Sequence, residues 1–226
     1  MKIGTGYFYN QDCMEGMKEF PDKFFELAIV DPPYGIGMDK PIIMPEIKNK
    51  FGKLRTNANY KKSNWDNKIP NEDYFIELFR ISKNQIICGG NYFTDFLEPT
   101  NAWIFWDKKL NENNGKTFSD GELLWTSLSF SLTKYTYGWV GFDYINNPQR
   151  EIKIHPTQKP IALYKWLLTK YAKPGDKILD THVGSASSII AFIDLELEFI
   201  GYEIDKDYYD SAMKRTENYL LQEKLF

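Results

Sequence analysis

Short apolar runs alternate along the chain with longer stretches that carry their apolar residues at helical spacing. Tyr7 to Tyr9 reads as a short strand and Cys13 to Glu19 as a short helix. FFELAIV, Phe24 to Val30, ends as a buried strand and runs straight into Asp31. Asn71 is placed to cap a helix that continues to Ile81. QIICGG, Gln85 to Gly90, reads as a buried strand stopped by two glycines. AWIFW (Ala102 to Trp106) and ELLWT (Glu122 to Thr126) are short and aromatic-rich, as strands are. The last third is the most regular. Pro160 opens a helix to about Ala172, since proline suits a first helical turn. A KPGD turn leads to the strand Lys177 to Asp180, a small-residue loop and a helix from Ser187 to Asp194. A strand ending near Tyr202 and a helix from Lys206 to Gln222 follow. Strands alternating with helices predict an α/β fold with a mostly parallel sheet.

Composition bounds this picture. The 226 residues fit one large α/β domain, or one domain with an inserted lobe. A 42% hydrophobic content supplies a full core, and 26% charged residues is ordinary for a soluble protein. No apolar run approaches the length of a membrane span, and MKIGTGYFYN lacks the apolar core of a signal peptide. A cytoplasmic location is the expectation. Cys13, Cys88, His155 and His182 are too few for a disulfide framework or a metal cluster, so a metal-free protein is expected.

Charge changes the picture more. Pro41 to Lys68 has no periodicity and reads as a long loop. From Asp39 to Lys68 eight basic residues face three acids, a net of +5, while the whole chain carries −3. The remainder therefore carries −8. Lys48, Lys50, Lys53, Arg55, Lys61 and Lys62 lie in this segment and are candidate nucleic-acid contacts; a solvated loop is the competing reading. Residues 36–68 are accordingly expected to be a mobile basic loop within a single domain spanning 1–226.

Three motifs carry candidate chemistry. IVDPPYG, residues 29 to 35, follows its strand with a carboxylate, two prolines, an aromatic and a glycine, more special residues than a turn needs. LDTHVGSAS, residues 179 to 187, joins a strand to a helix; Gly184, Ser185 and Ala186 let a ligand approach the backbone, and the helix N-terminus favours negative or polar groups. Glu203, about 20 residues on, ends the next strand, where an acid accepts from both hydroxyls of a ribose. That is the logic of a nucleoside-cofactor site, although a tight strand-to-helix turn would look the same if the loop stood alone. HPTQKP, residues 155 to 160, lies just upstream; for His155 alone a satisfied structural histidine is the plainer reading.

DPPY, HPTQKP, a D-x-x-x-G-S loop and an acid after the next strand together resemble the beta class of amino-methylating DNA methyltransferases. YNQDCMEGMKEF, SNWDN, CGGNYF and GYEIDKDYYDSA extend the resemblance over nearly the whole chain. Two positions depart from the family pattern: Ala186, where a second glycine is usual, and Thr181, where Pro or Phe is common. The resemblance implies a Rossmann-like methyltransferase fold, a mostly parallel seven-stranded sheet with one reversed strand, in circularly permuted motif order. It implies S-adenosyl-L-methionine as cofactor, double-stranded DNA as partner, residues 107–150 as a small target-recognition region, a restriction-modification setting and a homodimer as one open assembly. Asp12 and the Cys13 backbone should face the cofactor adenine, Glu203 the ribose, and Asp180, Thr181 and the Gly184–Ala186 loop the methionine part. Thr157, Gln158 and Lys159 should hold the methionine carboxylate, and His155 should lie towards DNA. For Asp12 a helix N-cap is the alternative.

An exocyclic amine is a poor nucleophile because its lone pair is delocalised into the ring. Asp31 offers a carboxylate and Pro32 a carbonyl, both accepting hydrogen bonds that strengthen as the nitrogen becomes positive. Pro32 and Pro33 fix φ and stiffen the turn. Tyr34 offers a face on which a flipped-out base stacks. Family usage of DPPY points to N6 of adenine; N4 of cytosine needs the same chemistry and stays open, as does an inactive DNA-binding relative.

Overall fold

The protein is described from a computed structural model, which describes residues 1–38, 65–108, 119–139, 151 and 153–223. The strands are β1 (Lys2–Ile3), β2 (Gly6–Asn10), β3 (Phe25–Val30), β4 (Ser82–Cys88), β5 (Trp103–Asp107), β6 (Gly121–Thr126), β7 (Thr133–Thr136), β8 (Lys177–Asp180) and β9 (Glu198–Glu203). The helices are α1 (Cys13–Met17), α2 (Glu72–Ile81), α3 (Ile161–Tyr171), α4 (Ser187–Asp194) and α5 (Lys206–Glu223). Among the described residues they build one sheet in the order β1-β2-β9-β8-β3-β4-β6-β5-β7. The expected seven strands with one reversed are its centre, β2 to β5 in sheet order, with β6 antiparallel to both neighbours. Two short strands were not foreseen: β1, antiparallel to β2, and β7, parallel to β5.

β3 shows why its run is apolar throughout. Leu27 and Ile29 pack into one layer with residues of α3, α4 and α5, while Ala28 and Val30 pack into the other with residues of α1 and α2. A strand covered on both faces has no polar side to present. Each of these four residues is at most 2% exposed, so truncating Leu27 or Ile29 to alanine would cost about 2–5 kcal/mol.

Chain order and sheet order differ in a way that creates the site. β8 and β9 are made last but lie between β2 and β3. From β8 the chain winds outward to β9, and from β3 it winds the other way to β4. The crevice between β8 and β3 is thus the topological switch point, where open α/β sheets bind ligands. Asp180 ends β8 there and Asp31 directly follows β3. Reversed β6 brings its first residues, Gly121 and Glu122, to the same edge.

Local signals explain the rest. Asn71 caps α2 by accepting from the Tyr74 amide at 3.3 Å. Pro160, expected inside α3, sits at its N-cap with extended backbone, and the first helical amide, Ile161, donates to Glu151 at 3.0 Å. No helix among the described residues is long and apolar enough to cross a membrane.

Candidate active site

Asp31 sits on the wall of a cavity of about 540 Å³, lined also by Pro32, Pro33, Tyr34, Tyr92 and Glu122. The Tyr34 hydroxyl donates to Asp31 Oδ1 at 2.7 Å, and the Lys159 ammonium reaches the same oxygen at 2.6 Å. Lys159 also donates to the Tyr34 hydroxyl at 3.0 Å and lies 3.3 Å from Glu122 Oε2. Glu122 Oε1 in turn pairs with Lys108 at 2.7 Å. Carboxylates and ammoniums therefore alternate along the wall: Asp31, Lys159, Glu122, Lys108.

The electrostatics follow this order. Burial pushes the Asp31 carboxyl above its usual range, and Lys159 opposes the rise. Burial also works against Glu122, but Lys159 and Lys108 hold it down to about 2. Burial disfavours the Lys159 charge, yet Asp31 and Glu122 carry its pKa above the ordinary value.

The DPPYG turn is pinned from behind. Asp66, from the SNWDN stretch, accepts from the Gly35 amide at 2.8 Å through one oxygen and from the Met38 amide at 2.7 Å through the other. Gly89 has φ of +66° and lies against Tyr34, so a Cβ there would meet the ring at 2.3 Å. Close approach and a left-handed backbone both demand glycine. The ring of Tyr34 stacks on Tyr92, with centroids 4.9 Å apart and planes 17° from parallel. Tyr92 is 41% exposed and stands on a single 3₁₀ turn, Gly90–Tyr92.

On the other side of the switch point, both Glu203 oxygens accept backbone amides, Gly184 at 2.9 Å and Asp205 at 2.9 Å. A carboxylate keeps further lone pairs beyond these two, so it can still accept from hydroxyls. Burial raises its pKa. Asp180 Oδ1 accepts from the His182 amide at 3.0 Å, whereas Oδ2 is buried without a well-formed hydrogen bond. Burial lifts the Asp180 carboxyl to about 7, against lowering by the nearby Ser188 hydroxyl and the His182 amide. Ala186 holds φ of +63° at the N-cap of α4. The family's usual glycine is thereby explained: the loop needs a left-handed residue there, which costs alanine about 1 kcal/mol.

The motif residues do not all behave alike. Asp12 is exposed and caps α1, accepting from Met14 at 2.8 Å, so the capping alternative is realised. Cys13 is buried behind it, and burial drives its thiol to about 12. Thr181 is buried and shares a 2.7 Å hydrogen bond with the Tyr74 hydroxyl. Thr157 pairs with His155 Nδ1 at 3.1 Å, and Gln158 accepts from the Ile154 amide at 2.9 Å. Lys159 is 4% exposed and directed to Asp31 and Glu122, so a methionine carboxylate at this ammonium would share it with two acids. His155 points inward: it is 9% exposed and packs against Trp65 and Tyr208. Burial, with Lys153 and Lys159, lowers it to about 3, so it is a neutral, packed imidazole in this conformation and not an outward cation. Lys48, Lys50, Lys53, Arg55, Lys61 and Lys62 lie outside the described residues, as do most of 36–68 and about half of 107–150.

Asp66, Tyr92 and Glu122 are not singled out by the sequence. SNWDN and CGGNYF carry the first two, but nothing in those strings says which residue faces a cavity.

Taken with this geometry, a family model described as DNA methylase matches residues 67–214. The chain belongs to that family of amino-methyltransferases, which act on DNA with S-adenosylmethionine. Among curated proteins, the type II methyltransferase M.HpaI of Haemophilus parainfluenzae is 24% identical over 92% of this chain and 73% of its own length. M.HinfI of Haemophilus influenzae is 25% identical over 90% of this chain and 66% of its own length. The chain thus spans two thirds to three quarters of these relatives. Among solved structures, the M1.HpyAVI–SAM complex superposes with a TM-score of 0.56 at 22% identity, covering 93% of this chain and 99% of that one. The PvuII DNA methyltransferase, described as cytosine-N4-specific, gives 0.56 at 15% identity, covering 94% and 86%. These likenesses establish the Rossmann-like fold.

Proposed function

We propose that the chain methylates the N6 amino group of adenine within a specific sequence of double-stranded DNA, on a base turned out of the duplex into the cavity beside Asp31. The observation that carries this reading is the placement of Asp31, at the switch point, on a cavity wall with an aromatic stack beside it and a Glu203–Gly184 loop across the crevice. S-adenosylmethionine, when bound, supplies an electrophilic sulfonium methyl. Glu203 would hold its ribose, and the Gly184–Ala186 loop with Asp180 its methionine part; the orphaned Asp180 Oδ2 is an acceptor awaiting such a donor.

The chain's own residues do the rest. Asp31 and the Pro32 carbonyl accept the two amino hydrogens and draw the nitrogen towards tetrahedral geometry. Both hydrogen bonds strengthen as positive charge develops. Tyr34 fixes the carboxylate from the side. After transfer the nitrogen must lose a proton, and the burial that raises Asp31 suits it to receive one. The segment holding Lys48, Lys50, Lys53, Arg55, Lys61 and Lys62 supplies phosphate contacts that carry no sequence information.

The aspartate of DPPY supports adenine over cytosine. The cytosine-N4 reading is favoured by one specific fact, that the PvuII enzyme shares the fold. Methylating DNA with the purified protein, digesting it to nucleosides and weighing the products separates them. N6-methyladenine is expected; N4-methylcytosine would replace this reading with the second.

A further inference from the structure

The alternating charges on the cavity wall exceed what the reaction asks of Asp31, and Glu122 has no part in the chemistry derived above. Its geometry gives it one. Lys159 pairs with Asp31 at 2.6 Å and donates to the Tyr34 hydroxyl at 3.0 Å, and it forms an ion pair at 3.3 Å with Glu122 Oε2, a buried oxygen that has no well-formed hydrogen bond. Glu122 is anchored from behind by Lys108 at 2.7 Å. Its place follows from topology: β6 runs against β4 and β5, so its second residue, paired with Trp106, comes to the edge where the parallel strands end.

We propose that Glu122 is a positioning residue for methyl transfer: by sharing Lys159 with Asp31, it keeps the ammonium from closing wholly on the carboxylate that must accept the substrate's amino hydrogens. This rests on the methyl-transfer reading and holds whichever base is the substrate. Without Glu122, the buried ammonium has only Asp31 to neutralise it, and substrate must compete for that oxygen. With Glu122, the pair of acids holds one cation between them. Asp31 then retains both its place and its basicity. The pKa pattern agrees, since Glu122 raises Asp31 while Lys159 lowers it.

Asp31 is faced by Lys159 from the HPTQKP loop, Glu122 from β6, Tyr34 from its own turn, Cys88 from β4, Asp180 from β8, Tyr74 from α2 and Tyr164 from α3. Burial pushes the cysteine and the tyrosines up, so they stay neutral through the working range. Burial lifts the Asp180 carboxyl to about 7; none of the substitutions below touches it, so the quantity read is the shift between variants.

The test is the pH dependence of kcat at saturating cofactor and DNA. Glu122→Gln keeps the shape and removes the charge. It should lower kcat roughly tenfold, as a misplaced acceptor does. It should also move the acid limb to lower pH, because losing a negative neighbour stabilises ionised Asp31. Lys108→Gln reads the same network from the other end: Glu122 loses its compensating charge, and the acid limb should move to higher pH. Glu122→Asp, which keeps the charge, should restore most of the kcat lost in Glu122→Gln. Opposite shifts in the two glutamine variants support the proposal. An acid limb that stays in place in the folded variants, or a Glu122→Asp enzyme as slow as Glu122→Gln, overturns it. If Glu122→Gln does not fold, the Lys108→Gln shift decides alone. Wild-type transfer to the same DNA tests the methylation reading separately.

Discussion

The two sides of the crevice are built by different means. On the β8–β9 side, the polar groups are held by backbone that regular elements place. Glu203 accepts two amides, Asp180 accepts one, and the loop between β8 and α4 follows from a strand end, two small residues and a left-handed corner. On the β3–β6 side, the site is a side-chain assembly. Asp31, Lys159, Glu122 and Lys108 come from four separate segments and orient one another, while Tyr92 stacks on Tyr34 and Asp66 braces the backbone of the turn. Backbone-held groups are defined before a ligand arrives. Mutually held side chains can be retuned by changing any member, at the risk of upsetting the others. A common cofactor with a varying target base is served well by that division.

The largest effect is expected at Asp31. Asp31→Ala should cut methyl transfer by roughly a thousandfold or more, since it removes an acceptor required in the transition state, while cofactor affinity stays put. Activity within about tenfold of wild type would mean that the acceptor lies elsewhere. Glu203→Ala addresses the other side. Two hydroxyls lose a charged acceptor, at about 1.5–3 kcal/mol for a hydrogen bond to a charged group, so S-adenosylmethionine should bind roughly 10- to 100-fold more weakly by calorimetry. DNA affinity should not move; if it does, the two halves are not separate. Tyr92→Ala acts on the aromatic stack beside Asp31. A base taking its place beside Tyr34 and Tyr92 would lose one aromatic face, worth about 1–3 kcal/mol, chiefly in kcat/KM for DNA. Tyr92→Phe should keep the activity, and an equal loss in both variants would point to the hydroxyl instead. The smallest effect belongs to Ala186→Gly. Relief of the left-handed strain, offset by the greater freedom of an unfolded glycine and loss of a buried methyl, should leave at most about 1 kcal/mol of added stability, seen as a slightly higher Tm. A lower Tm would show that the methyl's packing outweighs the strain.

The same division decided what the sequence could reveal. β8 and α4 fall where the pattern placed them, because KILD, the small-residue loop and SSIIAFID are local signals. α2 likewise begins after its Asn71 cap. β4 starts three residues earlier than its apolar run, since Ser82, Lys83 and Asn84 continue the strand with polar side chains, and the Ser82 backbone pairs with Phe25. β7 leaves little pattern because TKYT has one apolar residue, Tyr135, packed against the core. At the site, Asp31 and Glu203 were legible since each ends an apolar strand inside a recognisable string. Glu122 was not: its meaning lies in pairing opposite Trp106 on a reversed strand, and no neighbour in sequence reports that. For His155 the plainer reading of a satisfied structural histidine fits its packing, although the sequence gives no hint of the Tyr208 ring that covers it.

The position of β8 and β9 between β2 and β3 governs how the molecule comes into being. A ribosome releases β2 and β3 in quick succession, yet these strands are not partners. The gap between them is filled only when residues 177–203 have been made. Until then β3 has β4 on one side and an open, apolar edge on the other, the kind of edge that invites wrong pairing. Closure requires the late strands to insert centrally across a long separation in chain, a slow step by the usual dependence of folding rate on contact distance. Every group of the crevice that involves Asp180 or Glu203 is born in that step. The nascent chain therefore carries its DPPY turn without the other wall of the crevice until residue 203 has been made.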